Sequence, residues 1–94
     1  MRLRWTVSAV EDLAELRAYI ADREPRAAGR VARAIREDIR LLSRFPSLGR
    51  PGKVPETREL VIRKTPYIVM YRVRDEQLEI LRVLHATRRW PRTP

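Results

Sequence analysis

Cysteine is absent from this chain, and histidine occurs only once, as His85. The chain therefore has no disulfide framework and no thiolate metal site, and it has too few ligands for a structural zinc ion. No segment approaches the run of about 20 apolar residues that a membrane span requires. The N-terminus becomes polar and acidic too early for a signal peptide. These absences predict a cytoplasmic protein without a metal, a cofactor or a membrane partner.

Lysine is also scarce, since Lys53 and Lys64 are the only lysines among 21 basic residues. Against 12 acidic residues, the basic residues give a formal net charge of +9. A balance this basic favours a polyanionic partner, namely RNA, DNA or an acidic protein segment. Composition leaves these partners open, because an excess of arginine also follows from the base composition of a genome.

The length of the chain, 94 residues, predicts a single domain over residues 1–94 with a modest core. Its first segment alternates apolar and polar residues. Leu3, Trp5 and Val7 occupy one face of that alternation. A period of two over a few residues predicts a short first strand with one buried side.

Two helices are expected next. Ser8 and Glu11 match a capping box, in which both side chains bind free amides at a helix start, so the first helix should cover about residues 9–22. Pro25 suits the first turn of a second helix over about residues 25–44. Each helix has one apolar stripe at spacings of three and four residues. We therefore expect a helical hairpin that lies on a flat surface.

The polar side of the second helix carries five arginines that fall roughly in line: Arg26, Arg30, Arg33, Arg40 and Arg44. Glu37 and Asp38 interrupt this line and offer local ion pairs. From the sequence we interpret this side as a solvated helix face.

Three strands make up the rest of the predicted fold. Residues 45–56 contain three of the seven prolines and two of the three glycines, which indicates a loop. Alternating segments follow over about residues 58–63, 67–73 and 78–83. Their short connections imply antiparallel neighbours. The predicted fold class is α+β in the order β-α-α-β-β-β, with the helical hairpin packed on a mainly antiparallel sheet.

Several short segments then form a characteristic series along the chain: Trp5, Glu11-Asp12-Leu13, Pro46 with Gly49-Arg50-Pro51-Gly52, Thr57-Arg58-Glu59-Leu60, Pro66-Tyr67 with Tyr71-Arg72-Val73, Ile80-Leu81-Arg82-Val83-Leu84-His85, and Arg88-Arg89-Trp90-Pro91. In order and spacing they resemble the RelE/ParE family, the toxins of bacterial type II toxin–antitoxin modules. The resemblance covers essentially the whole chain. It implies a cognate antitoxin, encoded nearby, that forms a hetero-oligomer with the toxin and blocks it.

Members of that family differ in target. RelE-like toxins are ribosome-dependent endonucleases that cut mRNA without a metal, whereas ParE-like toxins inhibit DNA gyrase. For the nuclease branch, the resemblance implies catalytic roles for three residues: Arg58, His85 and Arg88. Four further basic residues are then candidates for nucleic-acid binding: Lys53, Arg63, Lys64 and Arg89.

Two departures from the nuclease pattern favour the ParE-like branch. Many nucleases of the family carry an arginine early in the central strand, where this chain has Tyr67. No tyrosine follows Arg88; Trp90 is there, and indole cannot serve as an acid or base. His85 then reads as a structural histidine at a strand end. We predict gyrase inhibition, with mRNA cleavage as the alternative and a degenerate, antitoxin-binding toxin as a third hypothesis.

Overall fold

A computed structural model of the protein describes residues 1–87, in which two helices cover one face of a five-stranded sheet. The helices are α1 (Val7–Arg23) and α2 (Pro25–Arg44). The strands are β1 (Arg2–Trp5), β2 (Arg50–Pro51), β3 (Arg58–Val61), β4 (Tyr67–Arg74) and β5 (Gln77–His85). The predicted α+β class, the order of the main elements and the helical hairpin are confirmed.

The sheet has the strand order β1-β5-β4-β3-β2. The pairs β2–β3, β3–β4 and β4–β5 are antiparallel, and β1 pairs with β5 in parallel. The prediction of a mainly antiparallel sheet is therefore confirmed. Residues 45–56 contain more than the predicted loop, because a 3₁₀ helix (Pro46–Leu48) and the two-residue β2 lie within them.

The core lies between the hairpin and the sheet. It contains the apolar stripes of both helices and the helix-facing side of the strands: Ala9, Leu16, Ile35, Ile39, Leu42, Ile62, Tyr67, Val69, Tyr71, Leu78, Ile80 and Val83. On the opposite face Met70 is also buried, whereas Val61 is exposed. The central strand β4 is thus buried on both faces over part of its length. Within residues 1–87, neither helix has the length and apolar character to cross a membrane.

The start of α1 differs from the predicted capping box. The N-cap is Thr6, whose Oγ1 accepts a hydrogen bond from the Ala9 amide at 3.0 Å. The same hydroxyl donates to the carbonyl of Leu81 on β5 at 2.9 Å. Ser8 lies inside the first turn of the helix. Thr6 is the N-cap because its hydroxyl accepts from the first turn of α1 and also donates to β5, which attaches the helix to the sheet.

Candidate functional site

Arg58, the first candidate catalytic residue, lies on β3 and is half-buried. Its guanidinium donates to the carbonyl oxygen of Gly49 at 2.7 Å and to that of Ser47 at 3.5 Å. In the register of the sheet Arg58 pairs with Tyr71, which belongs to the helix-facing core. Arg58 therefore braces residues 47–49 against the sheet, on the face that the hairpin covers.

Tyr71 completes this contact between the sheet and the loop. Its hydroxyl donates to the carbonyl of Pro46 at 2.6 Å and accepts from the Gly49 amide at 2.8 Å. Burial raises the pKa of Tyr71, although the Gly49 hydrogen bond and the charge of Arg58 act in the opposite direction. The phenol is neutral at physiological pH and holds the loop as both donor and acceptor.

His85, the second candidate catalytic residue, ends β5 and is partly exposed. Its ring meets the ring of Tyr67 edge-on, with centroids 5.5 Å apart. Nδ1 accepts a hydrogen bond from the Thr87 amide at 3.2 Å and lies 2.8 Å from the Thr87 hydroxyl. The histidine is oriented by neighbours in its own strand ending and in β4.

The two candidates are far apart. Arg58 pairs with Tyr71 of β4, whereas His85 pairs with Tyr67, which lies four residues earlier in the same strand. Strand geometry gives roughly 13 Å along the strand and roughly 10 Å across two strand spacings. Their Cα atoms are thus separated by roughly 16 Å, and the guanidinium of Arg58 is directed at the carbonyls of residues 47–49 rather than at His85. The third candidate, Arg88, lies outside the described residues, as does Arg89.

The remaining nucleic-acid candidates do not form a cluster. Lys53 lies in the loop that precedes β3, while Arg63 and Lys64 lie in the turn that follows it. All three are exposed. The amide of Arg63 donates to Oδ2 of Asp38 on α2 at 3.4 Å, so this turn is attached to the hairpin. The structure places these cations beyond opposite ends of the same strand.

On the open face of the sheet, one acid joins two arginines across three strands. Buried Glu79 on β5 binds Arg4 on β1 and Arg72 on β4, each at 2.5 Å. The hydrogen bond from Arg72 is the largest cause that holds the pKa of Glu79 below its ordinary value, and Arg4 acts in the same direction. This carboxylate offsets part of the positive charge of the open face.

An apolar groove between β1 and the hairpin is the feature that sequence reasoning missed. Its volume is about 370 Å³. Apolar side chains line most of it, with two arginines and a serine among the other lining residues: Leu3, Trp5, Val10, Leu13 and Ile39, with Arg36, Arg40 and Ser43. Leu3 is 47% exposed and Val10 is 54% exposed. Val10 was the available signal, because it is an apolar residue of α1 that lies outside the core-facing stripe.

Comparisons with known proteins agree over nearly the whole chain. The sequence profile described as "ParE toxin of type II toxin-antitoxin system, parDE" matches residues 3–90. Y4kP of Sinorhizobium fredii is 44% identical over 90 residues, which cover 96% of this chain and 93% of Y4kP. Toxin RelE2 of Caulobacter vibrioides is 37% identical over 84 residues, which cover 89% of this chain and 93% of RelE2.

Among solved structures, a chain of the chromosomal ParDE toxin–antitoxin system from P. aeruginosa is similar in fold. It superposes with a TM-score of 0.82 at 28% identity, over 90% of this chain and 95% of that one. The sequence relatives and the solved structure thus bear both RelE and ParE names.

Proposed function

This chain belongs to the ParE family of toxins from type II toxin–antitoxin systems, and we propose from that premise that it arrests growth by inhibiting DNA gyrase in the cytoplasm. In this proposal the toxin acts by binding and has no active site of its own. Ribosome-dependent mRNA cleavage is the competing activity that an experiment must exclude.

One observation carries the choice between these activities, namely that the guanidinium of Arg58 is held by backbone carbonyls and is not directed at His85. Cleavage of RNA by its own 2′-hydroxyl needs a base, an acid and cations gathered around one phosphate. Here Arg58 donates to the backbone of residues 47–49 and stands roughly 16 Å from His85. Of the described catalytic candidates, Arg58 is held by the loop and His85 contacts Thr87 and Tyr67, and this supports a toxin that binds rather than cuts.

The test compares two purified systems with the same protein. Gyrase supercoiling of relaxed plasmid should be inhibited by the wild type and equally by His85→Ala and Arg88→Ala. Programmed ribosomes should yield no cleavage of mRNA in the A site. A-site cleavage that disappears in His85→Ala would falsify the gyrase proposal and establish the nuclease instead.

A degenerate toxin is distinguished by growth. Expression of the wild-type chain without its antitoxin should arrest growth, because an active toxin is then free. Unimpaired growth, with full-length folded protein present in the cells, would contradict both activities and leave antitoxin binding as the role of the chain.

We also propose that the apolar groove receives the cognate antitoxin. Leu3 and Val10 are too exposed for residues of a sealed core, and the groove between them is bordered by Arg36 and Arg40. A segment with apolar anchors and acidic neighbours complements this surface in both shape and charge. The area must be large, since ordering such a segment costs free energy.

Substitutions in the groove test this contact. The antitoxin is taken as the product of the small open reading frame that adjoins the toxin gene. Val10→Asp places a charge in the groove and should weaken the complex at least tenfold, a loss of about 1.4 kcal/mol. Val61→Asp on the open face is the matched control, because Val61 is 48% exposed and does not line the groove. Equal affinities for the two variants would place the antitoxin elsewhere.

A further inference from the structure

The two helices of the hairpin differ sharply in charge. Helix α2 contains six arginines and two acids, whereas α1 contains two arginines and four acids. One of the two acids of α2, Asp38, is buried and faces the β3–β4 turn. The positive charge of the chain is therefore concentrated on the outer side of one helix, and net composition alone does not cause such an asymmetry.

Five of the six arginines form a single line, which we call the α2 arginine row: Arg26, Arg30, Arg33, Arg40 and Arg44. Their spacings of four, three, seven and four residues keep them within about 40° of one line on a helix of 3.6 residues per turn. All five are exposed. From Arg26 to Arg44 the row extends about 27 Å at a rise of 1.5 Å per residue.

The row is not neutralised by the rest of the described chain. Within residues 1–87, the salt bridges involve other arginines, on β1, β2, β4 and β5. Glu37 lies in the gap between Arg33 and Arg40 but is not within salt-bridge distance of either. Arg44 lies over the ring of Phe45, with 5.8 Å to its centroid, and its charge remains accessible.

We propose that the α2 arginine row binds the phosphate backbone of duplex DNA, independently of base sequence. Arginine guanidinium groups bind phosphate oxygens through charge-assisted, often bidentate, hydrogen bonds. A straight row of about 27 Å is longer than the major groove is wide, at about 12 Å, so it can cross the groove and meet phosphates of both strands. The solvated face inferred from the sequence is, on this proposal, a binding surface.

Duplex DNA fits the row better than single-stranded nucleic acid or an acidic peptide. Proteins that hold single strands add aromatic side chains on which bases stack, and α2 has no aromatic residue. A protein partner needs buried apolar anchors, and those line the groove, which meets the row only at Arg40. A rigid row of cations with one aromatic ring, Phe45, at its end is suited to the regularly spaced phosphates of a duplex.

This inference goes beyond gyrase inhibition, because DNA binding is measured without the enzyme. Anisotropy of a labelled short duplex is titrated with the full chain between about 50 and about 200 mM salt. Five phosphate contacts predict a slope of log K against log salt near −4.5, at about 0.9 per contact. A single-stranded RNA of equal length should bind more weakly.

Two matched triple variants locate the contact. Arg26→Gln, Arg30→Gln and Arg33→Gln together remove three charges from the row and should reduce the slope by about 2.7. The control combines Arg2→Gln, Arg17→Gln and Arg74→Gln, which removes three exposed arginines elsewhere. It should leave the slope nearly unchanged. Circular dichroism and urea unfolding establish that both variants are folded.

Glu37→Gln gives a test of opposite sign. Removing the one acid within the row should tighten DNA binding, whereas Glu11→Gln on α1 removes the same charge away from it and should have a smaller effect.

Three results would overturn the proposal: no duplex binding at about 50 mM salt, equal losses in the two triple variants, or stronger binding to single-stranded RNA. A row variant that binds DNA normally but loses its antitoxin would assign the row to a protein partner and overturn the proposal as well. Failure of gyrase inhibition in the wild type, with DNA binding intact, would contradict the proposed function alone.

Discussion

Asp12 on α1 binds the guanidinium of Arg82 on β5 through both carboxylate oxygens, at 2.6 and 2.9 Å. One of these oxygens also accepts the Val83 amide at 3.0 Å. Strand β1 ends at Trp5, which pairs with Ile80, so this later stretch of β5 has β4 on one side and no strand on the other. The carboxylate occupies the position that a neighbouring strand would fill, and its hydrogen bond to Arg82 raises the pKa of that arginine.

Removing this carboxylate should destabilise the fold. In Asp12→Ala both Arg82 and the Val83 amide lose their acceptor, and the free energy of unfolding should fall by about 2–3 kcal/mol. Urea unfolding measures the change. Glu11→Ala removes an exposed acid one position earlier and should change stability by about 0.5 kcal/mol or less. Similar losses of stability in both variants would mean that Asp12 contributes only as a negative charge near the N-terminus of α1, and not through its hydrogen bonds.

Two glycines should respond in opposite directions to the same substitution. A Cβ on Gly49 would lie 2.6 Å from the Tyr71 hydroxyl oxygen and 2.9 Å from the Glu59 carbonyl oxygen, whereas one on Gly29 would meet nothing within 4 Å. Gly49→Ala should therefore cost about 1–3 kcal/mol of stability. Gly29→Ala lies inside α2 and should add about 0.5–1 kcal/mol. Thermal unfolding of both variants checks the signs.

The two-residue turn between β4 and β5 holds two non-glycine residues in a strained backbone conformation, which a glycine would relieve. Asp75 and Glu76 both have positive φ, at 53° and 60°, which is the type I′ geometry that favours Asn-Gly. Glu76→Gly should raise the free energy of unfolding by about 0.5–1 kcal/mol, because relief of the left-handed conformation exceeds the added entropy of the unfolded chain. Gln77→Gly, one residue later in β5, relieves no such strain and should lower stability.

The Glu79 ion pairs predict a loss of stability in acid. Arg72 and Arg4 depress the pKa of Glu79 in the folded state, so its contribution is complete above the unfolded value of about 4.3 and is lost as pH falls from there through the folded value. Glu79→Gln abolishes this titration. The variant should be less stable at neutral pH and should show a shallower decline below pH about 4.3. Urea midpoints over a pH series measure it, with Glu11→Gln as the control.

Local signals in the sequence were sufficient for much of this fold. Pro25 and the apolar stripe predicted α2 over the residues that it occupies, 25–44. Strand alternation and polar turns predicted the β3–β4–β5 meander. These features depend on neighbours along the chain, where spacing and turn chemistry act directly.

Contacts between distant residues were not predictable in this way. Thr6 replaced Ser8 as the cap because its hydroxyl also binds Leu81, which is 75 positions away. The position of Arg58, bound to the Gly49 carbonyl and paired with Tyr71, follows from how a loop folds onto the sheet. An arginine in a strand predicts a positive charge at that position. The local sequence does not show whether its guanidinium is exposed to solvent or bound to a backbone carbonyl.

The pairing of β1 with β5 has a consequence for the order of events during synthesis. The first strand of the chain finds its partner, residues 77–80, near the other end. When a ribosome has exposed β1 and the helical hairpin, β5 is still unmade or inside the exit tunnel, and the central strands of the sheet are missing. The sheet therefore cannot be completed until β5 has left the ribosome, and until then β1 and the hairpin have no central strands to pack on.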